Sequence, residues 1–356
     1  MKLLLCLLFL LVEISNATTT LLTQKLGISG NFLTTSVGIG TPPQFFELGI
    51  VLSSDKSLIL DVATADPAND FNYNYIKELF TPEISDSLNV TNLICRKQYV
   101  DSNGHTFKSD GHYVDDLITL DGTQFSEGVR FCDLDTPRTA DTATDDALNW
   151  FMVLPVDGFL GLAPGRENIF ERADGLDLNE ISLFVDTNSV EPDNSGVITF
   201  GGKDTTHCKA FYTFESEDRD SWTTFTSQAD FGTHTMKGIY STVFDLSAEY
   251  LVLPSDVYTV VTNYFGGQTS YITCSNYPTI PDLKLTIYGK QYNISIQPYF
   301  VKQTGSSDYY CKLNIGSSDS DDDAQIVLGR HLLDNYCFYI DYEDSIIGLA
   351  EFVKKN

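Results

Sequence analysis

The chain has 356 residues, enough for one large domain or two ordinary ones on a prior of roughly 100–200 residues per domain. Its 49 acidic residues against 22 basic ones leave a formal charge of −27. That charge argues against nucleic acid and anionic membrane surfaces as partners, because both are recognised through basic patches. It suits either a soluble protein in an acidic compartment, where protonation relieves carboxylate repulsion, or a secreted protein kept soluble by charge alone.

Residues 1–17 hold Lys2, an apolar run Leu3–Val12, and small residues Ser15 and Ala17 at a cleavage-like spacing. They read as a secretory signal peptide, since the run is too short to span a membrane. No later stretch reaches about 18 apolar residues, so no membrane span is expected. Cys6 leaves with the signal, and Cys95, Cys132, Cys208, Cys274, Cys311 and Cys337 remain. In an oxidising route an even count reads as disulfides, with about fifteen pairings of six cysteines left open. Asn89-Val90-Thr91 and Asn293-Ile294-Ser295 are acceptor sequons for N-glycosylation.

The first informative stretch is Val37–Asp61. Val37-Gly38-Ile39-Gly40 reads as a strand, and Thr41-Pro42-Pro43-Gln44 as a turn whose prolines forbid a helix. An apolar run Phe45–Leu52, a polar tip Ser53–Lys56 and a third run Ser57–Leu60 follow. Strand, tight turn, strand, polar loop, strand is an all-β pattern.

Gly40-Thr41-Pro42-Pro43-Gln44 resembles the first lobe of the pepsin-like aspartic proteases (peptidase A1). There the motif is followed, six residues on, by an Asp-Thr-Gly-Ser loop. Here Gln44 is followed by Phe45–Ile50 and then by Val51-Leu52-Ser53-Ser54. The resemblance thus implies that Val51 stands where the first carboxylate belongs. The twenty residues 18–37 contain one basic residue, Lys25, which leaves no room for the basic pro-segment of roughly forty residues that the resemblance implies.

Farther along, residues 62–94 read as loop-rich. Arg96–Gly104 and Asp110–Gly122 read as two short strands around a Ser102-Asn103-Gly104 tip. In the family this region is the flap, a hairpin over the cleft. Tyr99 is the candidate flap tyrosine, with Phe107 as its rival. Pro155–Ala163 contains Asp157-Gly158-Phe159-Leu160-Gly161-Leu162, similar to the family's Asp-Gly-Ile-Leu-Gly-Leu. A short helix is predicted near Leu178–Asp186, with Ile181, Phe184 and Val185 on one face. Ser195–Gly202 reads as a strand, which in the family belongs to the sheet joining the lobes. The lobe boundary is placed near Lys203–Cys208.

The second half repeats the theme. Trp222–Phe225, Gly238–Phe244 and Tyr250–Leu253 read as strands, with Asp245–Glu249 a loop. Ser255 is expected to cap a helix carrying Val257, Val260, Val261 and Tyr264 on one face and stopped by Gly266. Ile326–Gly329, Tyr339–Asp341 and Ile347–Ala350 match the family's closing strands. Gly201-Gly202-x-Asp204…Cys208 resembles nematode members. The resemblance runs from about Leu33 to Phe352.

Counting back from Pro254 puts Asp245 at the second carboxylate position. The competing reading is a turn aspartate bonding local backbone. Family members hydrolyse peptides with two carboxylates that share a proton and a water; the like charges split the pair's pKa values into an acid and a base. Val51 has no titratable group. Asp55 is the local rescue, but four extra strand residues move a side chain about 13 Å. Leu52 and Leu246 replace the threonine that follows each Asp in the family. Losing one hydroxyl of such a pair costs about 1–3 kcal/mol, whereas replacing both with apolar groups can be neutral.

Other chemistry is not supported. His105, His112, His207, His234 and His331 show no metal-ligand spacing, and the acidic run 318–323 lacks the glycine and terminal glutamate of a calcium loop. No metal or cofactor is expected. The resemblance pairs Cys274 with Cys311. Cys95 with Cys132 would clip the flap region, and Cys208 with Cys337 would tie the start of the second lobe to its last strands; the pairing of these four stays open.

The fold expected is all-β and bilobal: a signal peptide over 1–17, an N-terminal lobe over 18–205 and a C-terminal lobe over 206–356, with a central cleft and a flap hairpin. The function expected is a secreted or lysosomal pepsin-like homologue, catalytically inactive through Val51, a monomer that binds a peptide or protein in its cleft. The alternatives are an active aspartic-type endopeptidase in an acidic compartment, and a storage or structural glycoprotein without a specific ligand.

Overall fold

The computed structural model describes residues 21–62, 78–100, 106–138, 154–166, 168–172, 179–187, 189, 194–248, 250–267, 271–273, 280–302, 310–318 and 325–353. The first half contributes β1 (Leu22–Ser29), β2 (Phe32–Ile39), β3 (Gln44–Val51), β4 (Leu58–Leu60), β5 (Asn89–Val100), β6 (Thr106–Leu120), β7 (Thr123–Arg138) and β8 (Gly158–Gly161). A single-turn helix α1 (Ile169–Arg172), β9 (Glu180–Val185) and β10 (Gly196–Phe200) complete it. The second half begins with β11 (Tyr212–Glu215), β12 (Thr223–Phe231), β13 (His234–Phe244), β14 (Leu251–Pro254) and helix α2 (Ser255–Tyr264). It continues through β15 (Tyr271–Thr273), β16 (Leu283–Ile287), β17 (Lys290–Ile294), β18 (Phe300–Lys302), β19 (Tyr310–Leu313), β20 (Ile315–Ser318), β21 (Gln325–Leu328), β22 (Tyr336–Asp341) and β23 (Ile346–Glu351).

Turn chemistry explains the hairpins. Asp121-Gly122 joins β6 to β7 with φ of 47° and 72°, and Tyr288-Gly289 joins β16 to β17 with φ of 45° and 79°. Two consecutive left-handed residues make the turn whose twist matches paired strands, and a glycine at the second position removes half the cost.

The fold is all-β and bilobal. The larger sheet runs β11-β23-β22-β9-β10-β1-β2-β3-β8-β4-β7-β6-β5, and the second lobe's own sheet runs β17-β16-β12-β13-β21-β14-β20. The larger sheet takes strands from the start, middle and end of the chain, so it joins the lobes. Cys208 is bonded to Cys337 beside this junction, and Cys95 to Cys132 between β5 and β7. Cys311 is disulfide-bonded too; Cys274, the partner expected for it, lies outside the described residues.

Each lobe repeats one local topology. In the first, β3 pairs parallel with β8, β8 antiparallel with β4, and β4 parallel with β7. In the second, β13 pairs parallel with β21, β21 antiparallel with β14, and β14 parallel with β20. In both, a late strand inserts between the strands that flank a loop, Leu52–Ser57 in one lobe and the stretch from Asp245 to β14 in the other.

Three sequence expectations are corrected. The helix predicted near Leu178–Asp186 is the strand β9. β9 lies inside the sheet between β10 and β22, and Ile181–Val185 are buried on both faces, so continuous burial hides the alternation that marks a strand. Ser255 does not cap α2: it is the first helical residue, Pro254 precedes it, and no side chain caps the helix. The buried face of α2 is Val257, Val261 and Thr262, while Tyr264 is exposed. The flap-region strands are also longer than expected, 12 residues in β5 and 15 in β6.

Candidate functional site

The loop after β3 begins at Val51, whose carbonyl oxygen accepts the Leu162 N–H at 2.8 Å. The Ala163 N–H donates to Ser54 O at 3.0 Å, and the Gly161 N–H to Ser57 Oγ at 3.1 Å. The loop therefore lies directly on Gly161. A β-carbon there would sit 2.5 Å from Lys56 O and 2.7 Å from Ser54 O, so only glycine fits.

The second loop is built the same way. The Asp245 N–H donates to Leu328 O at 3.0 Å, and a β-carbon on Gly329 would sit 2.3 Å from Ala248 O. Registers align the two repeats: Ile50 faces Leu160 across β3 and β8, and Phe244 faces Leu328 across β13 and β21. The next residue is Val51 opposite Gly161 in the first lobe. In the second, the residues that follow are Asp245 and Gly329. Val51 and Asp245 occupy corresponding points of the two repeats.

A hydrogen-bond relay links the loops. Trp222 Nε1–H donates to Leu162 O at 2.6 Å, and the Phe244 N–H donates to Trp222 O at 3.0 Å. Leu162 is bonded to Val51, and Phe244 precedes Asp245, so the path runs from one loop to the other. Leu162 O also accepts the Tyr342 hydroxyl at 3.0 Å. The buried Asn168 amide donates to Ala163 O at 2.8 Å, and its oxygen accepts the Phe170 N–H at 2.8 Å. Trp222, Tyr342 and Asn168 were invisible as site-supporting residues in the sequence. Only the size of a tryptophan beside a strand could have drawn attention to the first.

The side chains at the two positions differ in kind. Val51 is half-buried against the cluster of Leu58, Leu60, Tyr113 and Phe159. Asp245 turns its carboxylate onto its own loop: one oxygen accepts the Ser247 N–H at 3.0 Å and the Ser247 hydroxyl at 2.6 Å. Its carbonyl accepts the Ala248 N–H at 2.9 Å. This is the aspartate turn in which a short carboxylate mimics a backbone acceptor. Leu52 and Leu246 are both fully buried in one continuous apolar core. Asp55 lies against Gly165, where a β-carbon would come within 2.5 Å of its Oδ2.

In the flap region, Tyr99 and its rival Phe107 face each other across β5 and β6. Asn89 and Asn293 are both exposed, on β5 and β17. Two histidines are held by aspartates three residues away: His207 Nδ1 lies 2.7 Å from Asp204 Oδ2, and His331 Nδ1 lies 2.8 Å from Asp334 Oδ2. Among the described residues no group of three His, Cys, Asp or Glu side chains is arranged to hold a metal. His105 and the acidic run beyond Ser318 lie outside those residues. No described helix is long and apolar enough to cross a membrane.

Comparison with known proteins gives these features a family. A sequence profile described as eukaryotic aspartyl protease matches residues 33–352. The chain is 24% identical over 343 residues to Aspartic protease 17 of Caenorhabditis elegans, covering 90% of this chain and 82% of that protein. It is 23% identical over 334 residues to Pepsin A of Canis lupus familiaris, covering 88% and 80%. It is also 23% identical over 256 residues to Aspartic protease Bla g 2 of Blattella germanica, covering 65% and 70%. A profile match over nearly the whole described chain, on a bilobal all-β fold with the two repeated loops, means that this chain belongs to the eukaryotic aspartyl protease family, the pepsin-like peptidases.

Proposed function

We propose that this chain is a catalytically inactive pepsin-like homologue of the secretory pathway, extracellular or lysosomal, that binds a peptide or protein in extended form in its cleft. Residues 1–17 serve as its signal peptide, 18–205 form the N-terminal lobe and 206–356 the C-terminal lobe. The protein acts as a monomer and carries no cofactor. The hairpin of β5 and β6, with Tyr99, is the flap over the bound segment.

One observation carries this reading: corresponding positions of the two loops hold Val51 and Asp245. Peptide hydrolysis by a carboxylate pair needs one group ionised to take a proton from water and one protonated to supply a proton to the carbonyl oxygen. An isopropyl group does neither. The remaining carboxylate, Asp245, accepts both the Ser247 N–H and the Ser247 hydroxyl on one oxygen. The apolar Leu52 and Leu246 agree, since both polar residues of the family's interlocking pair are gone together. A cleft without hydrolysis still offers main-chain donors and acceptors to an added strand, the general route by which extended peptides are held.

The test is a peptidase assay on the glycosylated, secreted protein. Denatured haemoglobin or casein is the substrate, at about pH 3–4, where a coupled carboxylate pair holds one proton. No pepstatin-sensitive cleavage is expected. Cleavage that pepstatin blocks would return the chain to the active endopeptidases, with Asp245 and a displaced carboxylate such as Asp55 as the pair.

A further inference from the structure

Both glycosylation sequons fall on strands that end a sheet. Among the described residues β5, with Asn89, is the outermost strand of the larger sheet, and β17, with Asn293, is the outermost strand of the smaller one. An outermost strand presents unpaired N–H and C=O groups along its free side, a template for another chain.

The two edges differ in what else they expose. β17 shows Gln291 and Asn293 to solvent, with Tyr292 and Ile294 buried and Lys290 at its start. β5 shows Val90 at 61%, Leu93 at 54% and Ile94 at 57% exposure. From Asn89 to Cys95 there is no charged residue and no proline; the first charges are Arg96 and Lys97. A short apolar window without charge or proline on an open edge is the composition that drives edge-to-edge pairing. The register also slips between Val90 and Ile94, yet this irregularity leaves all three apolar side chains in water. Over Asn89–Cys95, then, β5 carries neither the charge nor the proline that usually protects an edge, and its irregularity leaves the apolar side chains there exposed.

We propose that an N-linked oligosaccharide on Asn89 is the missing device: it caps the apolar edge of β5 and keeps the chain monomeric. A strand pairing with β5 would lie about 4.8 Å from it along its whole length, passing directly over Asn89. A bulky, hydrated glycan at the first residue of the strand occupies that path. Without the glycan, β5 pairs with β5 of a second copy. The glycan on Asn293 has no such task, because its edge is already polar. This inference rests on the secretory reading and extends it.

The full chain is secreted from a eukaryotic cell, its two sequons are mapped by mass spectrometry, and its mass in solution is read by light scattering. The glycans are then removed enzymatically from the folded protein. Asn89 is expected to be occupied, and the mass to shift from one chain to two or more once the glycans are off. Asn89→Gln should behave like the trimmed protein, Asn293→Gln should stay monomeric, and Leu93→Lys added to Asn89→Gln should restore the monomer. Should Asn89→Gln fail to be secreted, the trimmed wild-type protein, with and without Leu93→Lys, answers the same question. An empty Asn89 beside an occupied Asn293 overturns the proposal while leaving the secretory reading intact. Retention in the cytosol with neither site occupied overturns both. An occupied Asn89 whose glycan can be removed without any gain in mass overturns the capping role.

Discussion

The indole N–H of Trp222 and the carbonyl of Leu162 meet at 2.6 Å in a fully buried contact, 60 residues apart in the chain. This bond ties the strand behind the Asp245 loop to the segment that supports the Val51 loop. Trp222→Phe removes the donor and shrinks a ring packed against Tyr342. The variant is expected to lose about 2–4 kcal/mol of stability, from the hydrogen bond and the cavity together. Urea unfolding measures it. Because Tyr342 shares the same acceptor, Tyr342→Phe in the Trp222→Phe background should cost more than Tyr342→Phe alone.

Val51→Asp is expected not to create peptidase activity by itself, since it leaves the apolar Leu52 and Leu246 buried in the two loops. It should also destabilise the fold by about 1–3 kcal/mol at neutral pH, because a carboxylate enters an apolar cluster. Burial raises the folded-state pKa of the new group. The penalty is therefore full above that value, eases as pH falls through it, and disappears below the unfolded value of about 3.9. Unfolding midpoints of the variant and the parent at several pH values should converge on acidification.

Removing the bond between Cys208 and Cys337 opens a sequence separation of 129 residues. The double variant Cys208→Ala, Cys337→Ala is expected to lose about 2–5 kcal/mol. The loss should be read as a lower denaturant midpoint. A midpoint equal to the parent's would mean that the strands joining the lobes hold this junction without the crosslink.

Asp230 is held below the usual carboxylate range, first by the hydroxyl of Thr235 at 2.6 Å and then by the amides of Gln228 and Gln291, with Lys284 nearby. A depressed folded-state pKa means stability that is present above about 3.9 and lost as pH falls through the folded value. Asp230→Asn should therefore melt below the parent at about pH 5–7, and the gap should close at stronger acidity. Thermal melts across that range check it. A gap that widened with acid would contradict the assignment.

Much of the architecture was legible in the chain itself. Gly40-Thr41-Pro42-Pro43-Gln44 marked the turn between β2 and β3, whereas Asp121-Gly122, read as the end of a strand, forms the left-handed turn between β6 and β7. β9 was misread because a strand covered on both faces carries no alternation. The Trp222–Leu162 bond was hidden because nothing local distinguishes a tryptophan that reaches across a lobe junction from one that fills its own core.

The amino-acid order by itself determined which chemical groups stand at the two loop positions: an isopropyl at 51, a carboxylate at 245 and a leucine after each. Side-chain identity is a local property and needs no fold to be read. Only the tertiary structure decided that Asp245 turns back onto Ser247 and that, among the described residues, β5 is the outermost strand of the larger sheet. The first is a choice between local conformations two residues apart, and the second depends on which strands lie side by side, an order that joins residues more than a hundred positions apart.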